Sequence, residues 1–490
     1  MNSILIKNGI SLLPDKDEVC DILIRGNKIA AIAPTICESA DEVIDATDCI
    51  VMPGLVNSHI HSHDNFNKGG FDNLPLETWM IWNRPFYSGI KHSEREVYIR
   101  TMIACVEMLK SGTTMVIDDV MLNRWLDQES MDAVMKAYRD SGMRAVVAPH
   151  IKNLPMHKTI PYLEELFPNE VKHRISGPIP SEEAICAFLE SQLQHYNVPE
   201  ARVTVGLSDS APQRCTLKLL HGIRELSEKY GVITISHVLE TYVQKRTGDL
   251  FYGKSLVRYM AEHDLLYSNH NLAHTIWVDE EDIQLLREYG VTTVHNPGCN
   301  LKMGSGIAPI KALRDAGIHV GLGSDNMSAN DSVNMFEMMK LGALISKVRT
   351  PDPDCWLSAQ DVLTMATTDG ARCACMGGKV GELKPGQLAD LVILNTCNER
   401  LACANDWRTA LVYGENGASV RDVVVNGHWI VRENKLQTVD EESLYREARE
   451  CLSMVNAERE LSFEEGREIY PLLKKAYRLA NDSRWPKGVL

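Results

Sequence analysis

Residues 50–70 read IVMPGLVNSHIHSHDNFNKGG, and the fold is decided there. An apolar run reaches Pro53-Gly54, resumes as Leu-Val-Asn-Ser, and delivers His59 and His61 two residues apart. Side chains alternate across an extended strand, so both imidazoles leave it from one face. Two neutral imidazoles held in that way form half of a transition-metal site. A His-x-His pair alone says little, because most such pairs are ordinary surface or core histidines. The other half has to come from elsewhere in the chain.

Upstream of this stretch, residues 1–52 read as short strands. SILIKNGISLL sets Asn8-Gly9 between two apolar runs, and DILIRGNKIAAIAP does the same with Gly26-Asn27; both are hairpin signals. The same grammar returns near the far end in ADLVILN, TALVYG and DVVVNGHWIV, the last with Asn426-Gly427. Residues 1–52 and 380–435 are therefore expected to pair in one discontinuous β-sandwich domain.

Downstream the rhythm changes to short β-branched runs alternating with amphipathic segments of helical period. Strands are expected at 51–61, 113–119, 144–151, 201–209, 232–240, 265–275, 291–298 and 319–326. Eight of them suit an α/β fold of the (β/α)8 TIM-type barrel, spanning 53–379. Ser93 and Glu96 form a capping box for one intervening helix, and Gly112 can end it. Residues 436–490 are charged and helical in pattern, with Pro471 expected to interrupt them. They read as a solvated helix on the barrel exterior or as a packing arm for a second subunit.

Composition narrows the partners. At 490 residues and 44% hydrophobic, the chain is long for a single core and should divide into a large and a smaller domain. Its net charge is −15 and its isoelectric point about 5.6, and acids break the few Lys/Arg clusters, which argues against nucleic acid or an anionic membrane as the main partner. Thirteen cysteines without CxxC spacing read as reduced thiols. The N-terminus has no basic region followed by an apolar core, and no apolar run approaches the ~18 residues of a membrane span. A soluble, cytoplasmic protein is expected.

The remaining metal-capable residues fall at the ends of expected strands: His237 on the fifth, with Glu240 three residues on, His274 on the sixth and Asp325 on the eighth. In a barrel, that end holds the active site. A histidine at a strand end is usually only hydrogen-bonded, but recurrence on strands one, five, six and eight is hard to obtain by chance.

The stretches PGLVNSHIH, LPLETWM, ACVEMLKSGTTMVID, HVLET, LAH, HNPGCNLKMGSGIAPI, GLGSDNMSAND and GELKPGQLADLVILN occur in the order seen in the amidohydrolase superfamily. From about residue 3 to about 440 the chain resembles the branch that contains methylthioadenosine/S-adenosylhomocysteine deaminase, guanine deaminase and the s-triazine hydrolases. The resemblance implies that His59, His61, His237 and Asp325 ligate one divalent metal, zinc first and iron(II) as the other fit. It implies that Glu240 shuttles protons and that His274 and Asp325 orient a metal-bound hydroxide. Three imidazoles and one carboxylate leave a divalent ion positive, which brings the pKa of a bound water toward ~7. The expected reaction is removal of an amino group from a nitrogen heterocycle. Hydrolysis of amides, ureas, carbamates or triazine substituents is the alternative, and a metal-free, non-catalytic homologue is disfavoured because all four ligands and Glu240 are present.

A second metal would need a bridging ligand, in this superfamily commonly a carboxylated lysine on the fourth strand. ARVTVGLSD has none, and Lys152 and Lys218 lie outside it. Substrate contacts are expected from Asn65, Lys68, Trp79, Trp82, Asp209, Gln213, Arg214 and Asn326. Nucleoside deaminases of the branch carry a His-Ala-Pro-Tyr type motif after strand four, whereas this chain has Ser210-Ala211-Pro212-Gln213-Arg214. That departure leaves room for a free heterocycle, a triazine or a pterin-like ring. The partners expected are a small-molecule substrate and, from the resemblance, a second copy of the chain in a homodimer or larger homo-oligomer.

Overall fold

At Gly54 the chain leaves one sheet and enters another. Cys49–Pro53 lies in an outer mixed sheet and Leu55–Ile60 in an inner parallel one, so the strand expected over 51–61 is two strands. A Cβ at position 54 would sit 2.0 Å from Thr114 Oγ1, a contact that only glycine avoids. The computed structural model describes residues 3–83, 91–123, 126–177 and 179–484.

Both ends of the chain build the outer sheet. Leu391–Asn395 pairs antiparallel with Cys49–Pro53, which runs parallel to Ser3–Leu12. The expected sandwich is instead one hydrogen-bonded sheet of nine strands. It returns on itself through an antiparallel bridge between Lys28 and Leu388, and Ile4, Ile24, Ile393 and Val424 share its core. The turns at Gly26-Asn27 and Asn426-Gly427 form as expected. Asn8-Gly9 does not turn the chain: Ser3–Leu12 is one strand with a bulge, where Asn8 adopts φ 63° and donates its N–H to Asp21 Oδ1 at 3.0 Å. Asp21 supplies the acceptor that lets the strand run through.

The inner strands form two parallel sheets. One holds Leu55–Ile60, Thr113–Val120, Arg144–Pro149 and Val203–Val205; the other holds Leu207–Ser208, Thr234–Val238, His270–His274, Thr292–His295 and Val320–Leu322. Their edges meet in two places. Gly206, between the two short strands, donates its N–H to Val147 O at 3.0 Å, and Asp325 donates its N–H to His59 O at 2.8 Å beside a parallel bridge from Ile60 to Asp325. Several strands are shorter than expected. Residues 291–298 shrink to Thr292–His295 because Pro297 opens the helix Pro297–Lys302, as proline does at a first helical position.

The capping box holds: Ser93 donates its N–H to Glu96 Oε2 at 2.7 Å at the head of Glu94–Lys110, and Gly112 follows with φ 84°. Arg144 on an inner strand and Asp390 beside the outer sheet form a buried, two-pronged ion pair at 2.7 and 3.0 Å, which ties the two sheets together. All thirteen cysteines are free. Among the described residues no helix is long and apolar enough to cross a membrane.

Pro471 does not interrupt the C-terminal segment. Glu441–Ala480 is one helix of 40 residues, capped by Asp440, with Pro471 inside it. An interior proline costs roughly 3 kcal/mol. Burial of Ile469 and Leu473, worth about 1.5–3 kcal/mol each, with Ala476 and Ala480 beside them, offsets that cost. This face packs with Ile81, Leu163, Phe167 and Val243, so one face of the helix is seated as a wall element while the opposite face is exposed.

Candidate active site

The floor of the site is made by strand ends. His59 lies within Leu55–Ile60 and His61 one residue beyond it, His237 within Thr234–Val238, His274 at the end of His270–His274, and Asp325 three residues past Val320–Leu322. All five side chains are buried. His61 Nε2 lies 3.2 Å from His237 Nε2 and 3.4 Å from Asp325 Oδ1, and His59 Nε2 lies 3.8 Å from the same oxygen. Residues far apart in sequence are thus brought to one point, as expected.

Hydrogen bonds fix which ring nitrogen points inward. His61 donates Nδ1–H to Asp119 O and His237 donates Nδ1–H to Ser210 O, both at 2.6 Å. Each Nε2 then carries a lone pair, and two lone pairs facing at 3.2 Å repel unless a cation lies between them. Neither nitrogen of buried His59 has a partner. The separations are close to the roughly 3.3 Å between neighbouring ligands of tetrahedral zinc at metal–nitrogen distances of about 2.0–2.1 Å. The donor set fits a divalent metal.

Charge gives the same answer. Burial, reinforced by the neighbouring imidazoles, pulls His237 well below the ordinary histidine range, and burial with His61 brings His59 to about 3. His61 also loses by burial, yet Asp119 and Asp325 lift it above its ordinary value. Burial opposes ionisation of Asp325, but His59, His274 and His61 together lower it to about 2. The two carboxylates call for positive charge among rings that resist protonation, and a shared cation would supply it.

Asp119, Asp118, His150 and Asn300 went unassigned by the sequence reading. Asp119 Oδ2 accepts from His150 Nδ1 at 2.9 Å and lies 3.8 Å from His237 Nδ1; Asp118 accepts from Ser62 N–H and from the Tyr138 hydroxyl, each at 2.9 Å. Asn300 Oδ1 accepts from His274 Nδ1 at 3.0 Å, so His274 presents Nε2 to Asp325 Oδ2 at 3.5 Å and to Glu240 Oε2 at 3.7 Å. The doubled acid at the end of TTMVIDD was the available signal for the first two. His61, Asp119 and His150 also bring three donor atoms within 4.8 Å of one another. Their mutual bonds already engage them as supports.

The backbone here is strained where the site needs it. Leu239, His274 and Asp325 have φ of 53°, 77° and 65°, a left-handed conformation that costs an L-residue roughly 1–2 kcal/mol. Gly323 approaches so closely that a Cβ would meet Asn296 Oδ1 at 2.4 Å and His59 Cβ at 2.9 Å.

Above the floor opens a cavity of about 580 Å³, with Trp79, Met80, Met121, Leu122, Ile151 and Met156 among its walls. Of the expected substrate contacts, Trp79, Arg214 and Asn326 line it. Trp79 donates Nε1–H to Ser328 Oγ at 3.1 Å, and Asn326 donates its backbone N–H to Asp325 Oδ1 at 2.7 Å. The other five do not line it. Asn65 is turned inward to Arg100 O, and Lys68 is an exposed partner of Glu107 at 3.1 Å. Trp82 packs on Phe463 and Tyr470 of the C-terminal helix, because an indole gains more from that apolar seat than from the cavity. Asp209 is buried near His270, its Oδ2 3.7 Å from His270 Nε2, and burial raises it to about 7; Gln213 is buried. Glu240 lines the cavity and is pushed up by burial. Glu458, from the C-terminal helix, also faces the cavity and pairs with His92 at 3.2 Å.

The Amidohydrolase family profile matches residues 50–430. The chain belongs to the amidohydrolase family. It is 33% identical over 439 residues to a 5-methylthioadenosine/S-adenosylhomocysteine deaminase of Thermococcus onnurineus (strain NA1), covering 89% of this chain and 95% of that one. It is 31% identical over 458 residues to a 5'-deoxyadenosine deaminase of Methanosarcina mazei (strain ATCC BAA-159 / DSM 3647 / Goe1 / Go1 / JCM 11833 / OCM 88), covering 92% and 98%. A triazine hydrolase variant matches the fold with a TM-score of 0.85 at 23% identity, covering 92% of this chain and all of that one. A zinc-bound adenosine deaminase from Xanthomonas campestris matches at 0.83 and 23%, covering 93% and 99%. As an amidohydrolase, the protein is a metal-dependent hydrolase of carbon–nitrogen bonds, and its floor of three histidines and an aspartate is suited to a divalent metal.

Proposed function

We propose that the protein is a zinc-dependent aminohydrolase that removes an exocyclic amino group from a nitrogen heterocycle as ammonia. The observation that carries this reading is the convergence of His59, His61, His237 and Asp325, with Glu240 and His274 beside them at the base of a mostly apolar cavity. The four converging residues would hold the metal. A divalent cation there would supply positive charge and bring the pKa of a water molecule toward neutrality. One metal is the reading because His61, Asp119 and His150, the other nearby trio, are already engaged with one another and with backbone.

Glu240 is placed to take a proton from the attacking water and deliver it to the ring nitrogen, and then to pass the proton of the newly formed hydroxyl to the departing amine. His274, its tautomer fixed by Asn300, and Asp325 orient that water. The carbon–nitrogen bond to the amine breaks, the carbon keeps the water oxygen, and ammonia and an oxo-heterocycle leave.

In this reading Val203–Val205 and Leu207–Ser208 count as one strand through Gly206, and the two parallel sheets close into one eight-stranded barrel over residues 53–379, with Gly206 and the Ile60–Asp325 contact as its seams. Residues 1–52 and 380–435 form the second domain, and 436–490 the helical extension.

The test is ammonia release by metal-reconstituted enzyme from a panel of aminopurines, aminated nucleosides, pterins and triazines, against N-acyl and urea compounds. Adenosine-type compounds lead the panel because the relatives are named for them. About one zinc per chain and chelator-sensitive ammonia release from heterocycles are expected. Release only from acyl or urea compounds would overturn the reading.

A further inference from the structure

Arg214 is a cation facing the cavity without an anion beside it. It closes the single turn Pro212–Arg214 that follows the inner strand Leu207–Ser208, and it stands on the same cavity lining as Glu240. Its Nη1 reaches Ser210 Oγ at 3.4 Å and its Nη2 reaches Met80 Sδ at 3.5 Å, long contacts to a hydroxyl and a thioether. Among the described residues no carboxylate oxygen lies within 4.0 Å of the guanidinium. Glu77 and Glu240 act on it from beyond that distance, and Glu77 is already engaged by the Thr241 hydroxyl at 2.6 Å. Lys152 and the His92–Glu458 pair are other charged groups facing the cavity.

The position is built rather than incidental. The Arg214 carbonyl accepts N–H bonds from Asn153 and Leu154 at 3.2 and 3.0 Å, and its own N–H donates to Ala211 O at 2.9 Å. The side chain therefore starts from a fixed backbone. A guanidinium presents five N–H donors in a rigid fork, and removing it from bulk water without an acceptor is costly. An oxygen-bearing ligand in the cavity would satisfy it, with charge-assisted bonds about twice as strong as neutral ones.

Resting on the deaminase reading above, we propose that Arg214 determines specificity by selecting heterocycles that carry, besides the leaving amino group, an acidic oxygen: a carboxylate substituent or an ionisable ring oxo group. This deepens the substrate class beyond the neutral adenosine-type compounds for which the relatives are named.

Two matched pairs of probes test it on the metal-loaded, full-length protein: 2,4-diaminopteridine against 2,4-diaminopteridine-6-carboxylate for the carboxylate arm, and melamine against ammeline for the oxo arm. The ratio of kcat/KM within each pair is read from ammonia release. Wild type is expected to favour the oxygen-bearing member at least about 30-fold in one pair, the scale of a charge-assisted bond. Arg214→Met should bring that ratio below about threefold, chiefly through KM, and Arg214→Lys should keep part of it. A residue that only balances Glu240 and Glu77 would instead lower kcat on both members and leave the ratio alone. A ratio near one in both pairs for wild type, or an unchanged ratio in Arg214→Met, overturns the proposal. Should no heterocycle release ammonia, the deaminase reading fails separately. Calorimetric Kd ratios for the same pairs, on wild type alone if the variant does not fold, then decide the role of Arg214.

Discussion

The floor of the cavity and its walls are built on different terms. Floor residues sit at the ends of inner strands, buried, and each of His61, His237 and His274 has its second nitrogen fixed by a carbonyl or amide oxygen. Wall residues come from a short helix (Trp79), a single turn (Arg214) and a long helix from the other end of the chain (Glu458). Strands joined by hydrogen bonds hold atoms to tenths of an ångström, as a metal requires, while helices and turns can be exchanged to suit a substrate. Floor changes should therefore be read in kcat and metal content, and wall changes in KM.

The sharpest way to break this contrast is Glu240→Gln. It should lower kcat at least about 10²-fold while zinc content and melting temperature stay at wild-type values. Wild-type turnover in that variant would end the assignment.

Next comes the acid sensitivity that burial imposes. His295 has no partner for either ring nitrogen, and burial lowers it to about 3. The unfolded chain takes up this proton near pH 6.5 and the folded chain only near 3, so stability falls as pH drops through that window. At pH 5 the loss is about 2 kcal/mol. Denaturant midpoints for His295→Asn should therefore fall less than wild type between pH 7.5 and 5.

A matched pair separates floor from wall directly. Asn300→Ala frees the His274 tautomer and should cost about tenfold in kcat, the lower end for a lost supporting bond. Trp79→Ala removes cavity surface and should raise KM by about tenfold with kcat within about twofold, since a buried aromatic contributes on the order of 1–3 kcal/mol to binding. Steady-state kinetics on one substrate check both.

The smallest effect is expected at Lys68. It is an exposed partner of Glu107, so Lys68→Ala should shift stability by less than about 0.5 kcal/mol and leave KM unchanged. A large rise in KM would return it to the walls.

The contrast also explains what could be read from sequence. The convergence of His59, His61, His237, His274 and Asp325 was legible because metal-capable residue types recur at the ends of the expected strands. Asp119 was not, because its backbone carbonyl and its carboxylate both serve, and a carbonyl has no sequence identity. Trp82 and Lys68 were misplaced because polar and aromatic loop residues become contacts only through tertiary geometry. The outer sheet was legible in its pairing of the two chain ends but not in its form. Asn8-Gly9 has turn chemistry that a bulge also satisfies, and an acceptor at Asp21 decided between them. Pro471 misled for a similar reason, since local propensity gave way to the apolar seat beneath the helix.

The wall contributed by Glu441–Ala480 and the pairing of Cys49–Pro53 with Leu391–Asn395 have a consequence for biosynthesis. The ribosome delivers the histidines of the cavity floor before this pairing is possible: the edge of Cys49–Pro53 stays without its neighbour until nearly 400 residues have emerged, and Glu458 follows later still. At translation speeds of roughly 5–20 residues per second, the nascent chain spends some tens of seconds with an open strand edge and an unfinished pocket, an interval in which chaperones have most to protect.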